Sequence, residues 1–367
     1  MWCGEHREGY RGYCHPDVFK AIPMLVYHND GNGHFTEVSH KLVLDKPAKA
    51  LGIAIGDYDQ DRLIDLFIAN DSMPQFLFHQ KKGTFEEVGL ESEVAVNADG
   101  QTYAGMGVDF ADYNNDGWPD LVVTDLANQR YALYQNAGDG TFSYASSSSG
   151  LGSMSMLHSG WSLRFIDYDN DGWKDLLIAQ GHDLDTIEKS FPLLHYKEPM
   201  MLARNTGRKF VDVSSISSEI FHEAWVGRGM AIGDLNNDGR IDAVVSTNGG
   251  PAHLLLNLTE TTNHWLTLRL IGHKSNRDAI GAQVRVVTAP GSQWGTVTTS
   301  SGYLSASDPR LHFGLGAELM ARRVEIRWPS GIQQVLLNVK GDRQLTIDEP
   351  LQSMSAKPLA VADPPRP

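Results

Sequence analysis

The chain is poor in cysteine, in long apolar runs and in positive charge, and each shortage removes a class of protein. Two cysteines, Cys3 and Cys14, among 367 residues are too few for a disulfide framework or a cysteine-built zinc site. They allow one local bridge in an oxidising compartment, which is the expectation here; two free thiols are the alternative. No stretch approaches the roughly 18 consecutive apolar residues of a membrane span. The opening "MWCGEHREGYRGYC" has no apolar core of a secretory signal peptide. That absence fits a cytoplasmic protein, or a chain that starts part-way through a longer one. With 31 Lys and Arg against 45 Asp and Glu, the formal charge is −14, which sets nucleic acid and anionic lipid aside as partners.

What is present is a globular composition, 41% hydrophobic and 21% charged, with 36 glycines that suit a turn-rich, all-β protein. A nine-residue pattern recurs four times. It reads "DYDQDRLID" from Asp57, "DYNNDGWPD" from Asp112, "DYDNDGWKD" from Asp167 and "DLNNDGRID" from Asp234, with starts 55, 55 and 67 residues apart. Its flanks recur too. A Gly-containing apolar segment precedes each copy ("ALGIAIG", "GMGVDFA", "GWSLRFI", "GRGMAIG"). A short apolar run follows ("LFIAN", "LVVTD", "LLIAQ", "AVVST"), too short for a helix and rich in β-branched residues. Further on come a third strand and a glycine turn, as in "LYQNAGDGTF". Units of about four strands repeated side by side predict a β-propeller.

The ends of the array are irregular. Residues 25–38 match only the second half of a unit, and the last unit stops near Asn257 without a closing strand. Either the N-terminal strands complete the last blade or upstream blades are absent from this chain. The mid-unit start without a targeting signal favours the second, an incomplete propeller. From residue 263 the Asp-rich loops cease and strands alternate with Gly, Pro and Asn turns. The expected organisation is therefore an N-terminal loop segment over 1–24, the remnant of a longer chain; propeller repeats over 25–260; a small β-sandwich-like domain over 263–349; and a disordered Pro/Ala-rich tail over 350–367.

Positions 1, 3, 5 and 9 of the loops carry carboxylate or carboxamide in every copy: Asp57, Asp59, Asp61 and Asp65; Asp112, Asn114, Asp116 and Asp120; Asp167, Asp169, Asp171 and Asp175; Asp234, Asn236, Asp238 and Asp242. Hard oxygen ligands alternating along a tight loop suit calcium, and Gly117, Gly172 and Gly239 at position 6 permit the turn round the ion. An EF-hand is excluded, because position 12 is apolar (Ile68, Val123, Ile178, Val245) where that loop needs a bidentate Glu. A metal-free polar turn is the bland alternative. Charge weighs against it: the loops hold 14 of the 45 acids, and four Ca2+ would bring −14 to −6. The first loop is the weakest of the four sites, because Arg62 stands where the others have glycine.

These repeats resemble FG-GAP/VCBS repeats, the calcium-loop blades also found in integrin α-subunit propellers. The segments "NRDAIGAQVRV", "SGYLSASDPRLHFGLG" and "VEIRWPSG" resemble the ASPIC/UnbV domain. Together they are similar to a bacterial-type member of the cartilage acidic protein family. That resemblance implies a secreted or cell-envelope (extracytoplasmic) protein with a calcium-binding propeller and no settled activity. Arg62, the incomplete first unit and the missing signal sequence depart from the family pattern.

Catalysis is weakly indicated. There is no HExxH, GxSxG or phosphate loop. Ser305, Ser307, Asp308, Arg310 and His312 crowd together in "SASDPRLHFG", but triad members meet through folding and not adjacency. A polar loop entering a strand is the better reading. His182, Asp183 and Asp185 open an insertion that runs to Pro199 and accounts for the 67-residue spacing; it is the first place to seek a partner site, with a plain surface excursion as the competing account. Trp118 and Trp173 are expected to cap packing between blades. The expected function is non-catalytic binding or adhesion to a protein or carbohydrate ligand at a cell surface. The alternative is a carbohydrate lyase or hydrolase on a propeller scaffold.

Overall fold

Each Asp-rich loop joins the first two strands of an antiparallel sheet in the computed structural model, which describes residues 2–4 and 6–352. The first blade runs Ala50–Gly56, Asp65–Met73, Phe76–Lys81 and Thr84–Glu87. The second runs Val108–Ala111, Asp120–Val123, Ala132–Asn136 and Phe142–Tyr144. The third is Gly160–Ile166, Asp175–Gln180, Met201–Asn205 and Phe210–Asp212. The fourth has three strands, Gly227–Gly233, Asp242–Thr247 and His253–Leu255. The tail expected from residue 350 lies almost wholly outside the described residues.

The apolar runs after the second and third loops are buried on both faces, which is why they lack a period of two, whereas in the fourth Val244 is exposed. Leu121 and Val123 join Phe67, Leu77 and Val108 between the first and second blades. Val122, from the opposite face of the same strand, joins Leu163, Leu176 and Ile178 between the second and third. Leu177 and Ala179 meet Met230 and Val245 between the third and fourth. The glycines of the preceding segments serve close approach. A Cβ on Gly52 would lie 2.2 Å from the Met106 carbonyl oxygen, and one on Gly107 2.0 Å from that of Trp161, so the inner strands of successive blades touch through their backbones.

The half unit at the start forms the hairpin Tyr27–Gly31 and His34–Glu37. It does not close the fourth blade. The chain around it packs on the first blade instead, where Met24, Val26 and Leu42 meet Ile68, Phe76 and Phe78. Cys3 and Cys14 form the expected disulfide. The loop it closes lies against the third-blade insertion, where Lys189 donates to the Gly9 carbonyl and its ammonium sits 5.1 Å from the Tyr10 ring. That insertion packs Ile187 and Leu194 against Ala127, which follows the second strand of the second blade, and its His182 is buried.

The C-terminal region is a two-sheet sandwich. Leu311–Gly316, His264–Ile271 and Arg343–Asp348 form one sheet, with His264–Ile271 central. Ser292–Thr296, Gln283–Val287, Met320–Arg327 and Gln333–Lys340 form the other. Leu266, Leu268, Val284, Val286, Phe313 and Trp328 fill the space between them.

Residues 298–310 leave this sandwich and enter the middle of the blade array. Ser300 and Ala306 bridge to make a hairpin whose tip is Tyr303–Leu304. The innermost strand of each blade has a free edge, and this hairpin satisfies it. Ser300 Oγ donates to the Ile53 carbonyl at 2.8 Å, and Gly302 N to that of Val108 at 2.7 Å. Tyr303 N donates to Ser162 Oγ at 3.2 Å. Met230 N and Ile232 N donate to Ser305 Oγ and Ser307 Oγ at 2.9 and 3.1 Å. The hydroxyls of Ser300, Ser305 and Ser307 and the backbone N–H groups of Gly302 and Tyr303 thus serve the inner edges of the four blades.

Candidate metal loops

Within each loop the side chains turn inward onto the backbone. The position 9 aspartates accept from position 2 of their own loop and from the third strand of the sheet. Asp120 takes Tyr113 N at 3.2 Å and Asn136 N at 2.9 Å, and Asp175 takes Tyr168 N at 3.2 Å and Asn205 N at 2.7 Å. The position 1 aspartates of the last three loops accept the N–H groups of positions 5 and 6, at 3.0 and 2.9 Å for Asp112, Asp167 and Asp234 alike. Positions 5 (Asp116, Asp171, Asp238) accept from position 7, and Asn114, Asp169 and Asn236 accept from position 5. Each carboxylate oxygen bonded this way keeps a further lone pair for a cation.

Burial makes these carboxylates costly as free anions. It pushes Asp112 and Asp167 up to about 7, Asp65 up to about 8 and Asp175 up to about 9. Asp57, Asp120 and Asp169 are raised for the same first reason, and neighbouring acids of their own loops add to it. In the third loop, ligand atoms of Asp167, Asp169 and Asp175 lie within 4.8 Å of one another. An all-oxygen donor set, buried and crowded, fits a hard divalent cation.

Two ladders of side-chain amides link the loops, and the pattern of acids gave no hint of them. At position 4, Gln60, Asn115 and Asn170 donate to the carbonyls of Gly117, Gly172 and Gly239 in the next blade, at 2.8, 3.0 and 3.0 Å. All three, and Asn237, adopt positive φ near 60°, which favours Asn. In the other ladder, Asn136, Asn205 and Asn257 donate at 2.8 Å back to the carbonyls of Tyr58, Tyr113 and Tyr168 in the preceding blade. Trp118 and Trp173 pack beside the second ladder. Each lies over a glycine turn of its own blade, Gly138 and Gly207, leaving no room there for a Cβ.

The C-terminal sandwich sits on the loop end of the blades and touches all four loops. Gln283 Nε2 donates to Asp57 Oδ2 at 2.8 Å, the Trp294 ring lies over Gly117 and the Trp265 ring against Gly239. His312 Nε2 meets Asn170 Oδ1 at 2.7 Å. Arg310 donates to the Asp234 carbonyl at 2.6 Å and to Asn237 Oδ1 at 2.7 Å, while its Nε holds Asp308. A cavity of about 150 Å³ remains between the two regions, lined by Asp109, Asp112, Arg164, Lys174, Arg310 and His312 among others. Burial lowers Lys174, and burial with Lys174 and Arg310 nearby holds His312 neutral, down to about 3.

The loops differ in what faces them from the third strand of the sheet. Strand register makes His79, Gln135, Arg204 and Leu256 equivalent. His79 Nδ1 lies 3.2 Å from Asp65 Oδ1 and 3.5 Å from Asp59 Oδ2. Arg204 Nη2 spans Asp169 and Asp171 at 3.0 and 3.1 Å. Sequence reading missed these residues because they lie outside the nine-residue pattern.

Comparisons with known proteins agree with this architecture. A model of the FG-GAP-like repeat matches residues 57–123 and 112–178, and one described as ASPIC and UnbV matches 272–353. Cartilage acidic protein 1 of Xenopus tropicalis is 27% identical over 81% of this chain, and the Homo sapiens protein is 24% identical over 80%. The chain spans less than half of those relatives, 44% and 43% of their lengths. Among solved structures, an Agrocybe aegerita protein that recognises non-reducing terminal N-acetylglucosamine has a TM-score of 0.31 at 14% identity, over 65% of this chain and 75% of its own. The chain combines FG-GAP-like repeats with an ASPIC and UnbV domain and is a homologue of cartilage acidic protein 1.

Proposed function

We propose that this chain is a non-catalytic, extracytoplasmic, calcium-binding repeat protein that presents a surface to a protein or glycan. Calcium holds its blades to one another and to the C-terminal sandwich. The carrying observation is the setting of the loops. Their buried oxygen donors are locked by amides from neighbouring blades and lie against the C-terminal sandwich. In that position an ion neutralises carboxylates that burial raises, and a cement that recurs in every blade serves stability better than a single turnover event. Among the described residues no helix is long and apolar enough to cross a membrane.

The loop end is occupied by the sandwich, so ligand recognition falls to the opposite end. There the hairpin tip places Tyr303 4.7 Å from Trp161, Arg228 stacks 4.0 Å over the same indole, and Leu304 stands 80% exposed. The test is melting in calcium and in EGTA, paired with glycan and protein arrays. A calcium-dependent Tm with saturable binding and no product release is expected. Identical melting curves overturn the calcium reading, and turnover of a polysaccharide overturns the non-catalytic one.

A further inference from the structure

The first loop, which sequence made the poorest calcium site, has the donors of a different metal. We propose that it is a mixed nitrogen–oxygen site for a divalent first-row transition ion of the zinc class, with His79, Asp59 and Asp65 as ligands and Asp57 bordering them through Asp59. This rests on the reading of the repeated loops as cation sites, and changes which ion this one takes.

Three observations separate it from the other loops. The first is the imidazole. His79 stands where the second and third blades have Gln135 and Arg204, and neither of those is a metal ligand of comparable strength. Imidazole nitrogen suits zinc, nickel or copper, whereas calcium is bound through oxygen. The Tyr58 ring stands edge-on to His79 at 5.9 Å and fixes its plane, and the His79 side chain is 14% exposed.

The second is spacing. Ligand atoms of Asp59, Asp65 and His79 lie within 4.8 Å of one another, with the nitrogen 3.2 and 3.5 Å from the two carboxylates. A tetrahedron with metal–ligand bonds of about 2.0–2.2 Å has edges of about 3.3–3.6 Å.

The third is an orphan. In the last three loops the position 5 N–H donates to the position 1 aspartate. In the first loop Asp61 N donates to Asp59 Oδ1 alone, at 3.1 Å. Asp57 Oδ1 is left without a hydrogen-bond partner although Asp57 is only 3% exposed. A ligand atom of Asp57 lies within 4.8 Å of those of Asp59 and Asp61, so its carboxylate borders the His79 group through their shared Asp59. A buried acceptor without a donor is costly unless a cation meets it. Arg62, at φ +79°, adds positive charge to this loop and works against a purely electrostatic ion, so a nitrogen bond supplies what charge alone loses.

The experiment uses the whole chain, stripped with a chelator and titrated with Co2+ as the spectroscopic stand-in and with Zn2+, in excess calcium. One equivalent of Co2+ with a ligand-field band is expected, displaced by Zn2+ and not by calcium. His79→Gln copies the residue of the second blade and lowers zinc affinity about 10- to 100-fold or more. Arg204→His puts an imidazole at the equivalent place in the third loop, beside the close group Asp167, Asp169 and Asp175, and installs a second equivalent there, which keeps the test decisive if the first variant fails to fold. Equal zinc affinity in wild type and His79→Gln overturns the proposal and leaves His79 as an ion-pair partner of Asp65. No added equivalent in Arg204→His overturns it too. Failure of the calcium reading has a separate signature: melting insensitive to EGTA at a concentration that leaves the zinc equivalent bound.

Discussion

Asp175 in the propeller and Glu349 in the sandwich are both buried carboxylates, and the fold moves them in opposite directions. Burial and the acids around it push Asp175 up to about 9. Burial also acts against Glu349, but hydrogen bonds from Ser330, Ser275 and His273 outweigh it and hold the carboxyl down to about 2. Three successive N–H groups, of His273, Lys274 and Ser275, point at Glu349 Oε2 at 2.7, 2.7 and 2.8 Å. The hydroxyls of Ser275 and Ser330 bond Oε1. The sandwich supplies its own positive field through a backbone nest, with one acid to satisfy. The loops gather three or four acids each and offer them fewer donors, the imbalance that the proposed calcium would correct.

The sharpest way to break this comparison is to remove the ion. A site at a hundred times its Kd contributes about 2.7 kcal/mol, so three loops contribute about 8 kcal/mol. EGTA is expected to lower Tm by roughly 15–30 °C. Hydrogen exchange then separates the regions: amides of the blade strands lose protection while those of His273, Lys274 and Ser275 keep theirs. Simultaneous loss shows that the interface of Gln283, His312 and Arg310 has merged the two into one cooperative unit.

Glu349→Ala tests the other side. It strands three N–H groups and is expected to cost on the order of 4 kcal/mol, equally in calcium and in EGTA, by urea unfolding. The pH slopes are opposed as well. The folded Glu349 carboxyl lies below its ordinary 4.5, so its contribution is full above that value and is lost as pH falls toward about 2. The folded Asp175 and Asp65 carboxyls lie above their ordinary 3.8, so in EGTA the chain loses stability as pH rises from about 4 through about 8 and 9. Calcium is expected to abolish the Asp175 part of that second slope, and Zn2+ the Asp65 part. An Asp175 part unchanged by calcium removes that aspartate from the calcium ligand set.

Repetition made the blades legible. Asp at loop positions 1, 5 and 9 and the apolar runs recur in register, so one reading of "DYNNDGWPD" was checked by three others. The hairpin 298–310 was not legible, because it occurs once and its partners, from Ile53 to Ile232, are remote in sequence. Its serines resemble any polar loop until the free strand edges are in place. His79 and Arg204 were hidden for a related reason. Their position on the third strand varies by design of each blade, so no pattern marks them, and only the strand register brings them to the loop. The asparagine ladders left a trace that went unused: an Asn or Gln at position 4 of every loop, beside the glycine turn.

Those ladders give a smaller effect that sharpens the comparison within the propeller. Asn115→Ala loses the bond to Gly172 and puts a Cβ residue without a polar side chain at φ +59°, for about 2 kcal/mol together. Asn115→Gly keeps the backbone conformation and loses only the bond, so about half the cost is expected in calcium by urea unfolding. Equal losses in the two variants show that the amide, and not the turn, carries the effect.

Arg204 gives the smallest effect and the finest comparison, between two loops of one propeller. Its guanidinium, 43% exposed, spans Asp169 and Asp171 and competes with an ion for the same oxygens. The second loop has the uncharged Gln135 at that place. An exposed pair of this kind is worth about 0.2–1 kcal/mol, so Arg204→Gln is expected to tighten calcium at the third loop by a few-fold at most. The gain shrinks in high salt, because the competing pair is already screened there. Calorimetric titration of the variant at low and high salt reads both. A calcium affinity that falls in Arg204→Gln instead shows that the arginine orders Asp169 and Asp171 for the ion, making the third loop a partly preassembled site rather than a self-neutralised one.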